Sequence, residues 1–170
     1  MRNNFFLFSL LFFLQIFVLN KVLFYKYIVL SPMLIILLLY NYQKNSKESL
    51  IVSFISGLLL DIFNDSLGVY IVTCIIVMYF RNFWVLKIIG EEKTEDISIM
   101  SVYELGNFQN LIYSFPLIIL YFSILSLFES EFFFSVNNLL FILASSSANY
   151  VFILIFQYLF FENKVRDEWR

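Results

Sequence analysis

Long apolar runs separated by short polar stretches make up most of this chain. A helix that crosses a membrane needs about 20 predominantly apolar residues, and the runs are close to that length. The pattern predicts an all-α integral membrane protein, with about six transmembrane helices in a compact bundle and one polytopic domain over residues 1–170. The predicted spans lie at approximately 5–19, 28–42, 46–63, 67–89, 108–128 and 135–161, with a cytoplasmic loop at 90–107.

Composition supports a lipid environment. Of the 170 residues, 61% are hydrophobic and 14% are charged, and the mean hydropathy is +0.84. A soluble domain is about half apolar and about a quarter charged, so this chain has too few polar side chains to cover a water-soluble core. Its 23 Phe and 11 Tyr residues suit a lipid-facing surface and the headgroup zone.

The first two spans have alternative interpretations. The run at 5–19 has the length of a signal peptide core, but the residues after it lack the small pair that a signal peptidase requires. In the second span, the Ser-Pro pair predicts a helix start, with Ser31 as N-cap and Pro32 at the first helical position. The helix then runs from Pro32 to Tyr42 with residues 22–30 in the membrane interface, or the whole span crosses with a Pro kink.

Local signals set the ends of the later elements. Asn45 and Glu48 have the spacing of a capping box that opens the third span. Gly90 is placed as a C-cap glycine that ends the fourth span. The polar stretch that follows predicts a solvated loop with a short surface helix at 97–105, and Pro116 predicts a bend in the fifth span.

The positive charges predict the orientation. Six spans place both termini on one side of the membrane, and nine cations fall on that side: Arg2, Lys44, Lys47, Arg81, Lys87, Lys93, Lys164, Arg166 and Arg170. Only Lys21 and Lys26 fall on the other side. Lys and Arg are retained in the cytoplasm, so both termini are predicted to be cytoplasmic.

Ser53, Gly57 and Asp61 follow one another at intervals of four in the third span. This spacing places them on one helix face, where small side chains favour close contact with another helix. Asp61 comes at the outer end, where its carboxylate can accept N–H bonds from the start of the fourth span. If Asp61 acts only in this way, an Asn replacement should have a mild effect, because an amide oxygen still accepts N–H bonds.

The turn after Asp61 offers further capping groups. Asp65 and Ser66 are N-cap candidates for the fourth span, and Gly68 permits close approach of the backbone. Two interpretations remain: the turn staples a helical hairpin, or the Asp61 carboxylate contacts another protein.

The residue types argue against enzymatic activity. The chain has no histidine, so it lacks the base of a serine site and the ligands of a histidine-bound zinc. Apart from Glu48 at the start of the third span, Asp61 is the only acidic residue inside a predicted span, whereas an aspartyl dyad needs two at membrane depth. We therefore expect no catalytic residue, no cofactor and no metal site. The single cysteine, Cys74, cannot form an internal disulfide, and no basic patch is long enough to bind nucleic acid.

Two other polar groups have structural and functional interpretations. Residues 145–149 read Ser-Ser-Ser-Ala-Asn in the sixth span, which predicts either a helix-packing face or the polar wall of a ligand cavity. Arg81 to Lys87 interleave cations and aromatic residues, which predicts an anchor at the cytoplasmic interface or a docking site for a cytoplasmic partner.

The hairpin at 56–68 resembles the signature of the MreD family, the rod shape-determining membrane proteins. In that family a Gly-x-x-x-Asp that closes one span is followed within a few residues by a Leu-Gly that opens the next. Gly57, Asp61, Leu67 and Gly68 match this motif. The chain length, the short first span, the Ser-Pro of the second and the polar loop after the fourth also agree.

The resemblance implies a non-catalytic subunit of the elongasome, which inserts lateral-wall peptidoglycan, in the bacterial cytoplasmic membrane. The implied partners are MreC, by transmembrane contact, and through it MreB and the RodA–transpeptidase pair. The implied fold is similar to that of the substrate-binding membrane subunits of vitamin-uptake transporters. The residues expected to act as structural or partner contacts are Ser53, Gly57, Asp61, Leu67 and Gly68.

A small-molecule-binding membrane subunit of an uptake transporter is the alternative function. It requires a polar cavity near the outer face, for which the sequence offers Asp61, Asn64, Asn137 and Asn138. Few cations are available there to hold an anionic ligand.

Overall fold

The structure is a computed structural model that describes residues 28–42, 47–90, 99–129 and 135–167. Within these ranges the chain forms six α-helices: α1 Met33–Leu39, α2 Lys47–Asn64, α3 Val69–Ile89, α4 Val102–Leu105, α5 Asn107–Glu129 and α6 Val136–Asp167. The predicted all-α class is therefore confirmed for this part of the chain. The predicted span at 5–19 and the Asn45 cap lie outside the described residues.

Among the described residues, three helices are long and apolar enough to cross a membrane: α3, residues Asn107–Phe128 of α5 and residues Val136–Phe160 of α6. They correspond to the predicted spans at 67–89, 108–128 and 135–161. Helix α2 has 18 residues, three of which are charged (Lys47, Glu48 and Asp61), and it is not one of these three helices. The coarse prediction of a transmembrane protein agrees with this finding.

The second predicted span departs most from expectation. Only residues 33–39 are helical, and the helix has seven residues, too few to cross a membrane. Pro32 rather than Ser31 is the N-cap, and no side chain caps the helix start. All residues of α1 except Ile36 are buried, so this segment lies inside the bundle instead of continuing to Tyr42 as a membrane helix.

Helix α3 lies at the centre of the described structure, where it contacts α1, α2 and α5. Helix α5 also packs against α6, and α6 contacts α1. One apolar core joins these elements and includes the fully buried side chains of Leu34, Val77, Tyr113, Phe122 and Ile153. The buried face of α3 thus provides the surface on which the neighbouring helices converge.

The region after α3 begins as predicted, with Gly90 in a positive-φ conformation (82°) and its N–H bonded to the carbonyl of Leu86. The polar residues 91–98 lie outside the described ranges. The short helix α4 lies within the predicted 97–105 segment, and it buries Val102 and Leu105 on one side while Glu104 is exposed.

Helices α5 and α6 both extend beyond the predicted spans. Helix α5 continues from Asn107 to Glu129 with Pro116 inside it. Helix α6 continues to Asp167, beyond the predicted end of the span at residue 161.

Candidate functional site

The predicted small-residue face of α2 packs against α3. Ser53, Gly57 and Asp61 are all buried on this face. A Cβ atom at Gly57 would lie 2.6 Å from the Cα of Ile71 and 2.8 Å from the carbonyl oxygen of Tyr70. Both neighbours are backbone atoms that cannot rotate away, so glycine is the residue that lets the two helices come this close.

The Asp61 carboxylate, near the end of α2, bonds to the first turn of α3. Its Oδ1 accepts the N–H of Tyr70 at 3.0 Å, and its Oδ2 accepts the N–H of Ile71 at 2.8 Å. The hydroxyl of Ser66 donates a third bond, to Oδ1. Asp61 is only 6% exposed, so these donors replace the water that a buried carboxylate has lost. The expected N–H bonds from the start of the next helix are confirmed.

The turn between the helices is built differently from the prediction. The N-cap of α3 is Gly68 with φ 86°, and no side chain caps it, so Asp65 and Ser66 are not its N-caps. Asp65 instead adopts φ 52°, and Ser66 bonds to Asp61. No atom lies within 4 Å of a Cβ placed on Gly68, so its glycine serves the left-handed backbone rather than a close approach. Leu67 is 102% exposed.

The two-oxygen geometry of Asp61 changes the expectation for Asn. An amide has one acceptor oxygen, while the two oxygens of Asp61 accept from two different backbone N–H groups. In an Asn variant the NH₂ group would face one of these donors. From this geometry we expect a larger loss of stability than the mild effect predicted from the sequence.

A second polar contact holds the irregular segment before α1. The Asn149 side chain accepts the N–H of Ser31 at 2.7 Å and donates to the carbonyl of Val29 at 2.7 Å. The Ser145 hydroxyl accepts the N–H of Val29 at 3.2 Å. The Ser31 hydroxyl donates to the Tyr121 hydroxyl at 3.2 Å. The polar run of α6 thus contacts extended backbone, which neither interpretation of its sequence had included.

The third polar contact is centred on Arg81, and the sequence missed it. Arg81 is fully buried. Its Nε donates to the Tyr113 hydroxyl at 2.7 Å, its Nη2 donates to the carbonyl of Tyr40, and its Nη1 lies 3.6 Å from the sulfur of Met78. The Tyr113 hydroxyl in turn donates to the carbonyl of Leu38 at 2.8 Å.

The burial of Arg81 corrects the charge count. A guanidinium that bonds inside the bundle does not mark a cytoplasmic loop, so eight cations rather than nine support the predicted orientation. Two aromatic residues near it also turn inward: Trp84 stacks on Phe80 and donates its indole N–H to the carbonyl of Ile112. The predicted snorkelling anchor therefore does not apply to Arg81, whereas Lys87 is exposed.

Two of the polar residues considered for a ligand cavity are bonded within the protein. The Asp61 carboxylate accepts hydrogen bonds from the first turn of α3, and the Asn149 side chain is hydrogen-bonded to the segment before α1. Asn137 is exposed. An open groove of about 570 Å³ lies beside α6, and its lining is apolar, with Ile28 and Val151 among its residues.

The chain matches no family model, no curated protein and no solved structure. What the described residues define is a class: an all-helical protein with three helices fit to cross a membrane and with buried polar contacts between them.

Gly57→Ala should destabilise the protein by about 1–3 kcal/mol, because its Cβ must displace the backbone of α3. Unfolding of the purified protein in mixed micelles measures the change. Ser56→Ala is the matched control, since the Ser56 hydroxyl bonds only within its own helix, to the carbonyl of Val52. We expect that control to cost less than about 1 kcal/mol. Equal stability of Gly57→Ala and wild type would contradict the close packing.

Asp61→Asn should lower the free energy of unfolding by about 1–3 kcal/mol, because one backbone N–H loses its acceptor and faces an NH₂ group. The same unfolding assay applies. Asp65→Asn makes the same chemical change at an exposed position with φ 52°, which asparagine tolerates, and should shift stability by less than about 0.5 kcal/mol. If the two variants behave alike, the Asp61 bonds are not stabilising.

Proposed function

We propose that this protein is a non-catalytic membrane scaffold of the MreD kind, which binds the transmembrane helix of an MreC-like partner in the elongasome. The observation that supports this most is that three of the four motif residues shape the hairpin, whereas the fourth is exposed. Gly57 admits the close approach of α3, Asp61 bonds to its first turn, and Gly68 supplies the left-handed backbone. Leu67 makes no such contribution, because its side chain points away from the protein.

Leu67 belongs to an exposed apolar patch that we define as Ile62, Phe63 and Leu67. Ile62 is 62% exposed and Phe63 is 50% exposed. Helices in a membrane associate through packing, so an apolar patch on a fixed turn suits a partner helix. The bonds of Asp61 hold the turn, and this holds the patch in one position. We therefore assign the partner contact to the patch and the structural role to Asp61.

The scaffold we propose has six spans, of which residues 28–42 form one that is only partly helical, with both termini in the cytoplasm. In this topology α2 is a span, although Asp61 lies in it. Three donors bond to the Asp61 carboxylate, which reduces the cost of placing it near the membrane. The opposite face of α2 exposes Ile51, Phe54 and Ile55, as a lipid-facing helix would. The eight remaining cations on one side support the orientation.

This topology makes α2 and α3 a transmembrane hairpin whose turn lies on the outer side. In the same topology the turn between α5 and α6 lies on that side too, because α3 and α5 run in opposite directions. A cross-contact supports the antiparallel arrangement: Arg81 bonds to Tyr113, and Trp84, farther along α3, bonds to the earlier residue Ile112. The outer end of α5 therefore lies on the same side of the membrane as the patch, and a substitution there can serve as a control for a substitution in the patch.

Leu67→Gln should reduce recovery of the MreC-like partner, because a polar amide replaces an apolar contact at the interface. Loss of a buried leucine contact of about 1.5–3 kcal/mol corresponds to a drop of tenfold or more in affinity. The measurement is co-purification of the partner from cells of matched membrane content. Leu127→Gln is the matched control, since Leu127 is a 55% exposed leucine at the outer end of α5.

Two outcomes would contradict the proposal. If wild-type protein recovers no MreC-like partner, the scaffold function is wrong. If Leu67→Gln and Leu127→Gln recover the partner as wild type does, the partner does not contact the patch, and the contact lies on another face.

A further inference from the structure

Arg81 is a fixed positive charge in the interior of the bundle, and the proposed partner contact does not use it. It lies eight residues before Ile89, which is about 12 Å along the axis from the end of α3. A charged side chain at such a depth in an apolar helix is costly, so its presence calls for a specific interaction. Among the described residues, the groups that Arg81 contacts are a phenol, a carbonyl and a thioether, and none of them is an anion.

The acceptors that Arg81 reaches belong to one end of one helix. Helix α1 ends at Leu39, and Tyr40 is already extended, with φ −61° and ψ 142°. Arg81 bonds directly to the carbonyl of Tyr40 and, through the Tyr113 hydroxyl, is connected to the carbonyl of Leu38. The last carbonyls of a helix lack partners within the helix and carry partial negative charge. Here the guanidinium and the phenol take the place of water.

We propose that Arg81 and Tyr113 form an intramembrane latch that holds the C-terminal end of α1 in the bundle. The latch fixes residues 28–42 as a membrane segment of which only a part is helical. The guanidinium suits this task because its planar fork reaches two acceptors at once, whereas a lysine ammonium acts as a single point. Asn149 holds the other end of the same segment, at Val29 and Ser31.

Loss of the latch should release one segment, whereas a general loss of stability would open the whole core. The end of α1 lies against the latch, while the native Cys74 lies in the core on α3 and is fully buried. Loss of the latch should free the end of α1 and leave the remaining core closed. A second cysteine, introduced at the 3% exposed Leu39, becomes reactive when the end of α1 is released. Cys74 stays protected as long as the core stays closed.

The experiment measures N-ethylmaleimide labelling of both cysteines in a Leu39→Cys protein purified in mixed micelles, with each site quantified by mass spectrometry. We expect Arg81→Met to raise labelling at position 39 by about tenfold or more, as loss of a charge-assisted hydrogen bond to the closed state predicts, with Cys74 still protected. Arg81→Lys should give an intermediate increase. Lys87→Met, which removes an exposed cation from the same helix, should change neither site.

Two results would overturn the latch. The first is unchanged protection of position 39 in Arg81→Met. The second is simultaneous exposure of position 39 and Cys74, which would mean that Arg81 holds the whole core. If Arg81→Met does not accumulate, Tyr113→Phe decides the question. This variant keeps the guanidinium and its bond to the carbonyl of Tyr40, and it removes the hydroxyl that joins Arg81 to the carbonyl of Leu38. Unchanged labelling at position 39 would therefore also overturn the proposal.

Discussion

Backbone N–H and C=O groups inside a membrane protein have no water to bond to, so every interruption of a helix there needs partners from the protein itself. In this structure the interruptions are at the two ends of α1. Asn149 provides partners at the start, for Val29 and Ser31, and Arg81 with Tyr113 provides them at the end. The side chains that do so come from α3, α5 and α6, the three helices fit to cross a membrane. Those helices therefore pack around the irregular segment and also supply hydrogen-bond partners for its backbone groups.

The hairpin of α2 and α3 meets the same constraint in another way. A helix start leaves its first N–H groups without partners, and Asp61 accepts two of them, from Tyr70 and Ile71. Because Gly57 lets α3 approach its backbone, the carboxylate can reach these groups from the neighbouring helix. The result is a turn whose backbone is fixed by these bonds, and in the scaffold we propose it presents the exposed Leu67 to a partner. A fixed backbone loses less entropy when a partner binds than a mobile one does.

Sequence patterns predicted the features that depend on near neighbours. Long apolar runs located α3, α5 and α6, and spacing by four placed Gly57 and Asp61 on one face. The features that the sequence missed depend on distant contacts: Asn149 lies 118 residues from Ser31, and Arg81 lies 41 residues from Tyr40. Arg81 beside aromatic residues has the same local pattern whether it faces the membrane surface or the core. Only the packing of a short helix against α3 decides between the two.

Side chains of α6 bond the irregular backbone before α1 inside the bundle. Amide hydrogen exchange of the protein in lipid nanodiscs tests this bonding most directly, at the N–H groups of Val29 and Ser31. Their bonds to Ser145 and Asn149 predict exchange slowed by about 100-fold or more relative to an unstructured chain, although neither residue is helical. Exchange of both amides within about tenfold of the unstructured rate would contradict the account.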